Sequence, residues 1–407
     1  MKPMGPIPPH FADGDTLTIA GHDAEHWIGV AGDTPLFVYD MGEVRARLAR
    51  LRAAMPDRLD IHYAIKANPH PQLLAAIAPL VDGLDVASGG ELARALAVKP
   101  ASVISFAGPG KRDDELTAAI EAGATLNLES EGEARRALAI GERLGLRPRL
   151  AVRVNPDFDL KGSGMKMGGR SSPFGIDAAR VPALVGEIVG AGADWRGFHI
   201  YAGSQALSAA AIIETQAATV AVARRLADEA GAVPPLVNLG GGFGIPYFAG
   251  DEPVDIEAVG AALSETLADA DPGTQYAIEL GRWIVGECGV YLTRVVDVKE
   301  SQGERFAIVD GGLHHQLAAS GNFGTVVRRN YPVAIAGRMT GEPMAVSVVG
   351  SLCTPLDRLG DRVGLPDPRV GDLIAIFLAG AYGFTASPGL FLGHPPAREL
   401  VVDTAQV

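Results

Sequence analysis

The sequence predicts an α/β protein, a (β/α)8 barrel of the TIM type joined to a C-terminal β-rich domain. The first observation is eight short β-rich runs that alternate with helical patterns between residues 59 and 287. Such alternation implies parallel βαβ units, and eight strands are the number that closes a barrel. A doubly wound open sheet would more often stop at about five or six. The second observation is a change after Gly289, where β-rich runs continue without long helices. The abundance of glycine, 51 residues, suits a chain built on many tight βα turns.

In chain order, Met1-Lys-Pro-Met-Gly-Pro-Ile-Pro-Pro9 reads as an irregular leader without the apolar core of a signal peptide. Residues around Leu17–Ala31 are assigned to the β-rich domain, which makes that domain discontinuous (1–34 and 286–407) around a barrel at 35–285. A helix over Met41–Met55 precedes the first strand and is expected to complete the outer ring. The eight strands are Leu59–Ala67, Gly83–Ser88, Ser102–Ala107, Ala124–Glu129, Arg149–Asn155, Trp195–Tyr201, Leu236–Leu239 and Tyr276–Leu280. Glu131–Leu144 and Ala209–Ala230 carry Ala, Leu and Arg at helical spacing. A Gly-, Ser- and Met-rich stretch, Asp157–Ser172, interrupts the barrel after its fifth strand, and a loop of that length is functional or disordered. The β-rich domain is read from Val290–Lys299, Arg305–Val309, Met344–Val349, Asp372–Leu378 and Glu399–Asp403.

Bulk properties narrow the function. With 407 residues and 47% hydrophobic composition the chain can bury a large core. A net charge of −13 speaks against nucleic acid or an anionic membrane as partner. No run approaches the ~18 apolar residues of a membrane span. Cys288 and Cys353 stand far apart and give neither a disulfide framework nor a zinc spacing, so no metal site and a reduced, cytoplasmic setting are expected.

The chemistry-bearing residues cluster at strand ends, where a barrel of this type keeps its active site. Lys66 closes the apolar run Leu59-Asp-Ile-His-Tyr-Ala-Ile-Lys-Ala-Asn68. An ammonium there either snorkels into solvent or, depressed by burial, serves as the amine of a Schiff base. Asp85 and Ser88 end the second strand, Arg153 and Asn155 the fifth, His199 and Ser204 the sixth. The seventh runs into Gly240-Gly-Gly-Phe-Gly244 and the eighth into Glu279-Leu-Gly-Arg282, a glycine cradle beside a guanidinium that suits a phosphate. A flat imidazole at His199 can stack on an aromatic ring, and Glu279 can pair with a ring nitrogen. Lysine, phosphate cradle, stacking group and acid together describe pyridoxal 5'-phosphate, an electron sink for a carbanion at Cα.

Tyr63-Ala-Ile-Lys-Ala-Asn68, Gly83-Leu-Asp-Val-Ala-Ser-Gly-Gly-Glu-Leu92, His199 with Gly203-Ser-Gln205, Gly240-Gly-Gly242 and Glu279-Leu-Gly-Arg282 resemble the fold-type III pyridoxal-phosphate decarboxylases, the diaminopimelate, ornithine and arginine decarboxylase family. Val309-Asp-Gly311, Gly350-Ser-Leu-Cys-Thr-Pro-Leu-Asp357 and Gly380-Ala-Tyr-Gly383 continue the resemblance, which spans nearly the whole chain and implies an alanine racemase-like barrel. It implies that Lys66 forms the internal aldimine, that His199 stacks on the cofactor and that Glu279 pairs with its pyridine nitrogen. Ser204, Gly242, Arg282 and Tyr382 would hold the phosphate, with Gly241 and Gly281 in the same loops and Asp85 and Arg153 in support. The family's homodimers share their active sites, so Cys353 would enter from the partner chain and protonate Cα after carbon dioxide leaves. Cys288 is expected to be structural.

The departures bear on substrate. Ornithine and diaminopimelate enzymes place Asp or Glu directly after the catalytic cysteine; this chain has Thr354, which cannot repay desolvation of a substrate ammonium as a carboxylate does. Asp310 stands in the position that binds the distal amine in ornithine decarboxylases. Where diaminopimelate decarboxylases carry an arginine-bearing segment, this chain reads Gly311-Gly-Leu-His-His-Gln-Leu-Ala318, and Pro173 replaces the lysine before Phe-Gly in Ser172-Pro-Phe-Gly-Ile176. Asn155–Gly169 and Cys353-Thr-Pro-Leu-Asp357 are similar to a subgroup found with exosortase-type loci and with carrier-protein biosynthetic clusters. The expected substrate residues are Asp310, Cys353, Thr354 and Tyr382. The expected reaction is α-decarboxylation of an amino acid, free or tethered to a carrier protein, with Lys161, Lys166 and Arg170 as candidate carrier contacts or plain loop charges. A free diamino-acid decarboxylase, an amino-acid racemase and a non-enzymatic pyridoxal-phosphate carrier protein are the alternatives; Cys353 and Tyr382 argue against the last.

Overall fold

The computed structural model describes residues 1–157, 171–321 and 328–403, together with the backbone of 165–166. Two compact units emerge, one of residues 47–244 and 254–281 and the other of 1–46, 245–253 and 282–407.

The first unit is the barrel. Its strands are β1 (Leu59–Ala64), β2 (Gly83–Val86), β3 (Ile104–Phe106), β4 (Thr125–Leu128), β5 (Arg149–Asn155), β6 (Asp194–Ile200), β7 (Leu236–Gly241) and β8 (Gln275–Leu280). All are parallel to their neighbours, in the order of the chain, and the β8–β1 pairing closes the ring. The walls are apolar on both faces, as in Leu84, Phe106, Leu126, Leu150, Val152 and Ile278, because helices cover the outside and side chains fill the inside. Side-chain caps start the helices: Ser88 Oγ accepts from the Glu91 N–H (3.2 Å) at Gly89–Leu96, and Ser130 does the same at Glu131–Leu144. Gly145, at φ 65°, ends the latter in the left-handed region. The expected first helix runs over Met41–Ala54, and its end packs on helix Ile256–Ala268, where a Cβ on Gly260 would lie 1.8 Å from the Ala54 carbonyl oxygen.

The second unit is β-rich. Its spine is the 13-residue strand Gly289–Ser301, antiparallel to Glu304–Val309 at one end and to Leu373–Ile376 and Leu36–Asp40 at the other. Met344–Val349 extends the sheet and pairs with Arg358–Leu365, while Arg398–Val402 lies parallel to Leu36–Asp40. The division of the units differs from the expected limits of 34/35 and 285/286. Leu36–Asp40 is buried at every position because strands flank it on both sides, and this pairing draws it into the β-rich unit. Residues 245–253 and Arg282–Val285 group with the same unit. Most of Asp157–Ser172, including the side chains of Lys161, Lys166 and Arg170, lies outside the described residues.

Candidate active site

At the C-terminal ends of the barrel strands, Lys66, Asp85, Arg153, His199 and Glu279 line one cavity of about 210 Å³, together with Phe174 and the backbone around Gly108. Lys66 does not sit on the strand. β1 ends at Ala64, and Ile65–Ala67 form a 3-10 turn that lifts the side chain out of the wall. Lys66 is therefore exposed to the cavity, its ammonium 5.7 Å from the centroid of the Tyr201 ring. Burial of the amine, the premise read from the sequence, is not met in a single chain. Gly281 packs on this turn, since a Cβ there would meet the Ala67 Cβ at 2.7 Å and the Ala64 carbonyl oxygen at 3.0 Å.

The acid opposite is fixed more tightly. His199 Nε2 lies 2.9 Å from Glu279 Oε2, and the Asn238 amide donates to the same oxygen (3.2 Å). Both side chains of the pair are almost fully buried. Burial pushes the Glu279 carboxyl up, but the His199 contact, with Lys66 and Arg153 further off, brings it down to about 2. Glu279 thus stays ionised, with both of these contacts on its Oε2. Arg153 is held by Glu129 (2.7 Å), whose two oxygens also accept from the Gly108 and Gly175 N–H groups. Burial raises the Glu129 carboxyl, and the Arg153 guanidinium with these bonds takes it below the usual range. Arg153 also lies over the Phe174 ring at 4.9 Å.

The glycine cradle is built by close approach. Gly242 (φ 82°) has no room for a Cβ, which would lie 2.0 Å from the Gly203 carbonyl oxygen and 3.3 Å from the Ser204 Cα. Gly241 meets the Glu279 carbonyl in the same way, at 1.7 Å. Ser204 and Gly242, just past β7, are thereby brought side by side, a glycine-lined backbone of the kind that suits an anion. Both Asp85 oxygens and His199 Nδ1 are buried with no hydrogen-bond partner. Orphaned polar atoms and an amine at one cavity, with a glycine cradle at the end of the strand next to Glu279, fit pyridoxal phosphate.

The remaining expected residues belong to the β-rich unit. Arg282 donates to the Tyr247 hydroxyl (2.9 Å) and lies over the Tyr382 ring at 4.8 Å; Tyr382 itself has φ 55°. Burial acts against the Arg282 charge, yet the tyrosines around it hold its pKa above the ordinary value. Cys353 is exposed on the loop between Met344–Val349 and Arg358–Leu365, and Cys288 is buried. The Thr354 hydroxyl accepts from the Leu356 N–H (3.3 Å). Asp310 is already engaged: one oxygen accepts from Thr293 Oγ1 (2.6 Å) and the Arg294 N–H (2.9 Å), the other from Thr34 Oγ1 (2.5 Å). Four contributors were missed in the sequence, namely Glu129, Asn238, Tyr247 and His62. For Glu129 the signal was present, an acid at the end of the fourth strand.

Comparison with known proteins agrees with this arrangement. The model of the pyridoxal-dependent decarboxylase pyridoxal-binding domain matches residues 41–286, well over half of the chain. The L-glutamyl-[BtrI acyl-carrier protein] decarboxylase of Niallia circulans is 36% identical over 91% of this chain and 89% of its own length. The diaminopimelate decarboxylase of Aquifex aeolicus is 31% identical over 92% and 88%. The crystal structure of diaminopimelate decarboxylase from Helicobacter pylori with L-lysine superposes with a TM-score of 0.84 at 27% identity, covering 93% of this chain and 94% of that one. With the cavity, the cradle and the sequence match in agreement, the chain belongs to the pyridoxal-dependent decarboxylases, amino-acid decarboxylases whose cofactor is pyridoxal 5'-phosphate.

Proposed function

We propose that this enzyme removes the α-carboxyl group of an amino acid whose tail is neutral, carried as an acyl group on a carrier protein. The observation that carries the reading is that neither Thr354 nor Asp310, the two expected substrate positions, offers a free carboxylate to a distal ammonium. Thr354 stands directly after Cys353, and Asp310 is spent on Thr34, Thr293 and Arg294. An ammonium brought to such a site would lose its water without a charged partner. The similarity to a decarboxylase named for a carrier-bound glutamyl group points the same way.

Pyridoxal phosphate supplies the electron sink for the pair left at Cα when carbon dioxide departs. In this reading the chain's own residues divide the remaining work. Lys66 offers the amine that holds the cofactor. Ser204, Gly241, Gly242, Gly281, Arg282 and Tyr382 bind the phosphate, while Asp85 and Arg153 support the pocket and His199 stacks over the ring. Glu279 holds a negative charge at the ring nitrogen. Cys353, contributed by the partner subunit of a homodimer, delivers the proton to Cα. Lys66 and Cys353 fall in separate compact units, and two cysteines without a disulfide, one buried and one exposed, suit a reducing cytoplasm.

The test is carbon dioxide release from free ornithine, lysine, diaminopimelate and aspartate derivatives beside the same acids loaded on a carrier protein. Turnover confined to loaded substrate supports the proposal. Robust turnover of a free diamino acid overturns it and favours the diaminopimelate reading that the Aquifex aeolicus relative suggests. Chiral analysis of the product separates either from racemisation.

A further inference from the structure

Among the described residues, His62 is the one buried histidine of the barrel interior that the reaction as described leaves without a task. It lies on β1, in register with Gly83 of β2 and Glu279 of β8. Its ring fills the space of the missing Gly83 side chain, since a Cβ there would meet three ring atoms at 2.6–2.8 Å. His62 Nδ1 lies 3.3 Å from Asp85 Oδ2, both side chains more than nine-tenths buried. The distance is that of an ion pair and is long for a hydrogen bond. His62 Nδ1 and both Asp85 oxygens are therefore left without a hydrogen bond. Asp85 lines the cofactor cavity beside Lys66. A buried carboxylate with two orphaned oxygens, lining a cavity and backed by an imidazole at 3.3 Å, is a group prepared for a ligand.

We propose that His62 and Asp85 act as one unit, in which the imidazolium beneath the carboxylate sets the charge that the cavity floor presents to the cofactor. With His62 charged the pair is neutral overall, and the floor does not repel an anionic phosphate ester. Once His62 loses its proton, the floor carries an uncompensated carboxylate. The groups facing His62 are Asp85 from β2, Asp82 just ahead of that strand, Asp60 from its own strand and Glu279 from β8. Burial pushes His62 down, and these carboxylates, Asp85 foremost, more than offset it, so its pKa lies above the ordinary histidine value. The charge therefore persists to higher pH than on an ordinary histidine and is lost above that. His62 is a positioning residue that acts through Asp85.

The experiment uses the full-length protein freed of cofactor, with 13C-labelled histidine. The His62 resonance is assigned by its loss in H62Q or H62N and followed through a pH titration. In D85N its titration is expected to move down by about one pH unit or more. Pyridoxal phosphate binding is then read by absorbance between about pH 6 and 9. Native affinity is expected to fall on the alkaline side, and H62Q to lose that limb and bind about tenfold more weakly at neutral pH. An unchanged His62 titration in D85N overturns the proposal, as does a native alkaline limb in H62Q. The resonance arm needs neither cofactor nor substrate, and D85N leaves His62 in place if H62Q fails to fold.

Discussion

Lys66 shows how a single residue is prepared by its surroundings rather than by burial. The 3-10 turn Ile65–Ala67 carries it off the end of β1, and the missing side chain of Gly281 lets that turn pack flat against the eighth strand's end. Replacement with alanine keeps this packing, because Lys66 is exposed, so Lys66→Ala is expected to fold normally and melt within about 0.5 kcal/mol of the native protein. The same variant should lose the absorbance of bound cofactor and all carbon dioxide release; a retained cofactor band after dialysis would remove Lys66 from the chemistry. A second residue-scale expectation concerns His314, which is 1% exposed with both ring nitrogens unpartnered. Burial, with His315 and His394 nearby, holds its pKa down to about 4. The unfolded chain takes up the proton first, so stability is complete above the ordinary histidine pKa and is lost as pH falls from there toward 4. By pH 5 the loss from this one group is about 2 kcal/mol. His314→Leu should flatten the acid limb of a denaturant stability profile, and an unchanged limb would show that His314 protonates in place.

At the scale of elements, the loop that presents Cys353 is organised by Asp357. Its Oδ1 accepts from the Leu313 N–H (2.7 Å) and its Oδ2 from the Leu352 N–H (2.8 Å). Gly312 and Gly350 are glycines because a Cβ at either would run into this carboxylate, at 2.6 and 2.3 Å. The Cys-x-x-x-Asp spacing is thus a device for closing the loop onto the Asp310-Gly-Gly segment. Asp357→Ala leaves two buried N–H groups without an acceptor, at a cost of about 2–4 kcal/mol. Urea unfolding should show that loss, with carbon dioxide release falling more than tenfold while cofactor absorbance persists; loss of both together would make Asp357 merely structural. The same elements show what the sequence could disclose. Asp85, Arg153, His199 and Glu279 were legible because polar residues interrupt apolar runs where strands end. His62 and Asn238 were not, since their inward orientation depends on barrel register. Leu36–Asp40 escaped because its partners, 289–292 and 398–402, lie more than 200 residues away. Arg358–Leu365 escaped because Gly360 and the left-handed Arg362 (φ 51°), with two register shifts, break its alternation.

Across the whole molecule the proposed reaction divides its amine and its acid between two compact units, Lys66 in the barrel and Cys353 in the β-rich unit. In a single chain the Cys353 loop is open to solvent, and Leu356 on the same loop is 56% exposed. Leu390, Phe391 and Leu392 add an apolar run on the same unit, with Leu390 95% exposed. Exposed apolar side chains on the unit that carries Cys353, the proposed proton donor, make a surface that gains by being covered. A twofold dimer covers such a surface on both copies at once and can complete each site with the other chain's loop. Shared sites have a consequence that self-contained sites lack. Lys66→Ala and Cys353→Ala homodimers are each inactive, but a mixed dimer joins an intact lysine to an intact thiol at one of its two sites. Random reassortment makes half of the dimers mixed, so about a quarter of native activity should return when the variants are unfolded, mixed and refolded together. The recovered activity should track the fraction of mixed dimer seen by native mass spectrometry. If mixed dimers form and carbon dioxide release stays at background, each chain completes its own site and the shared-site proposal fails.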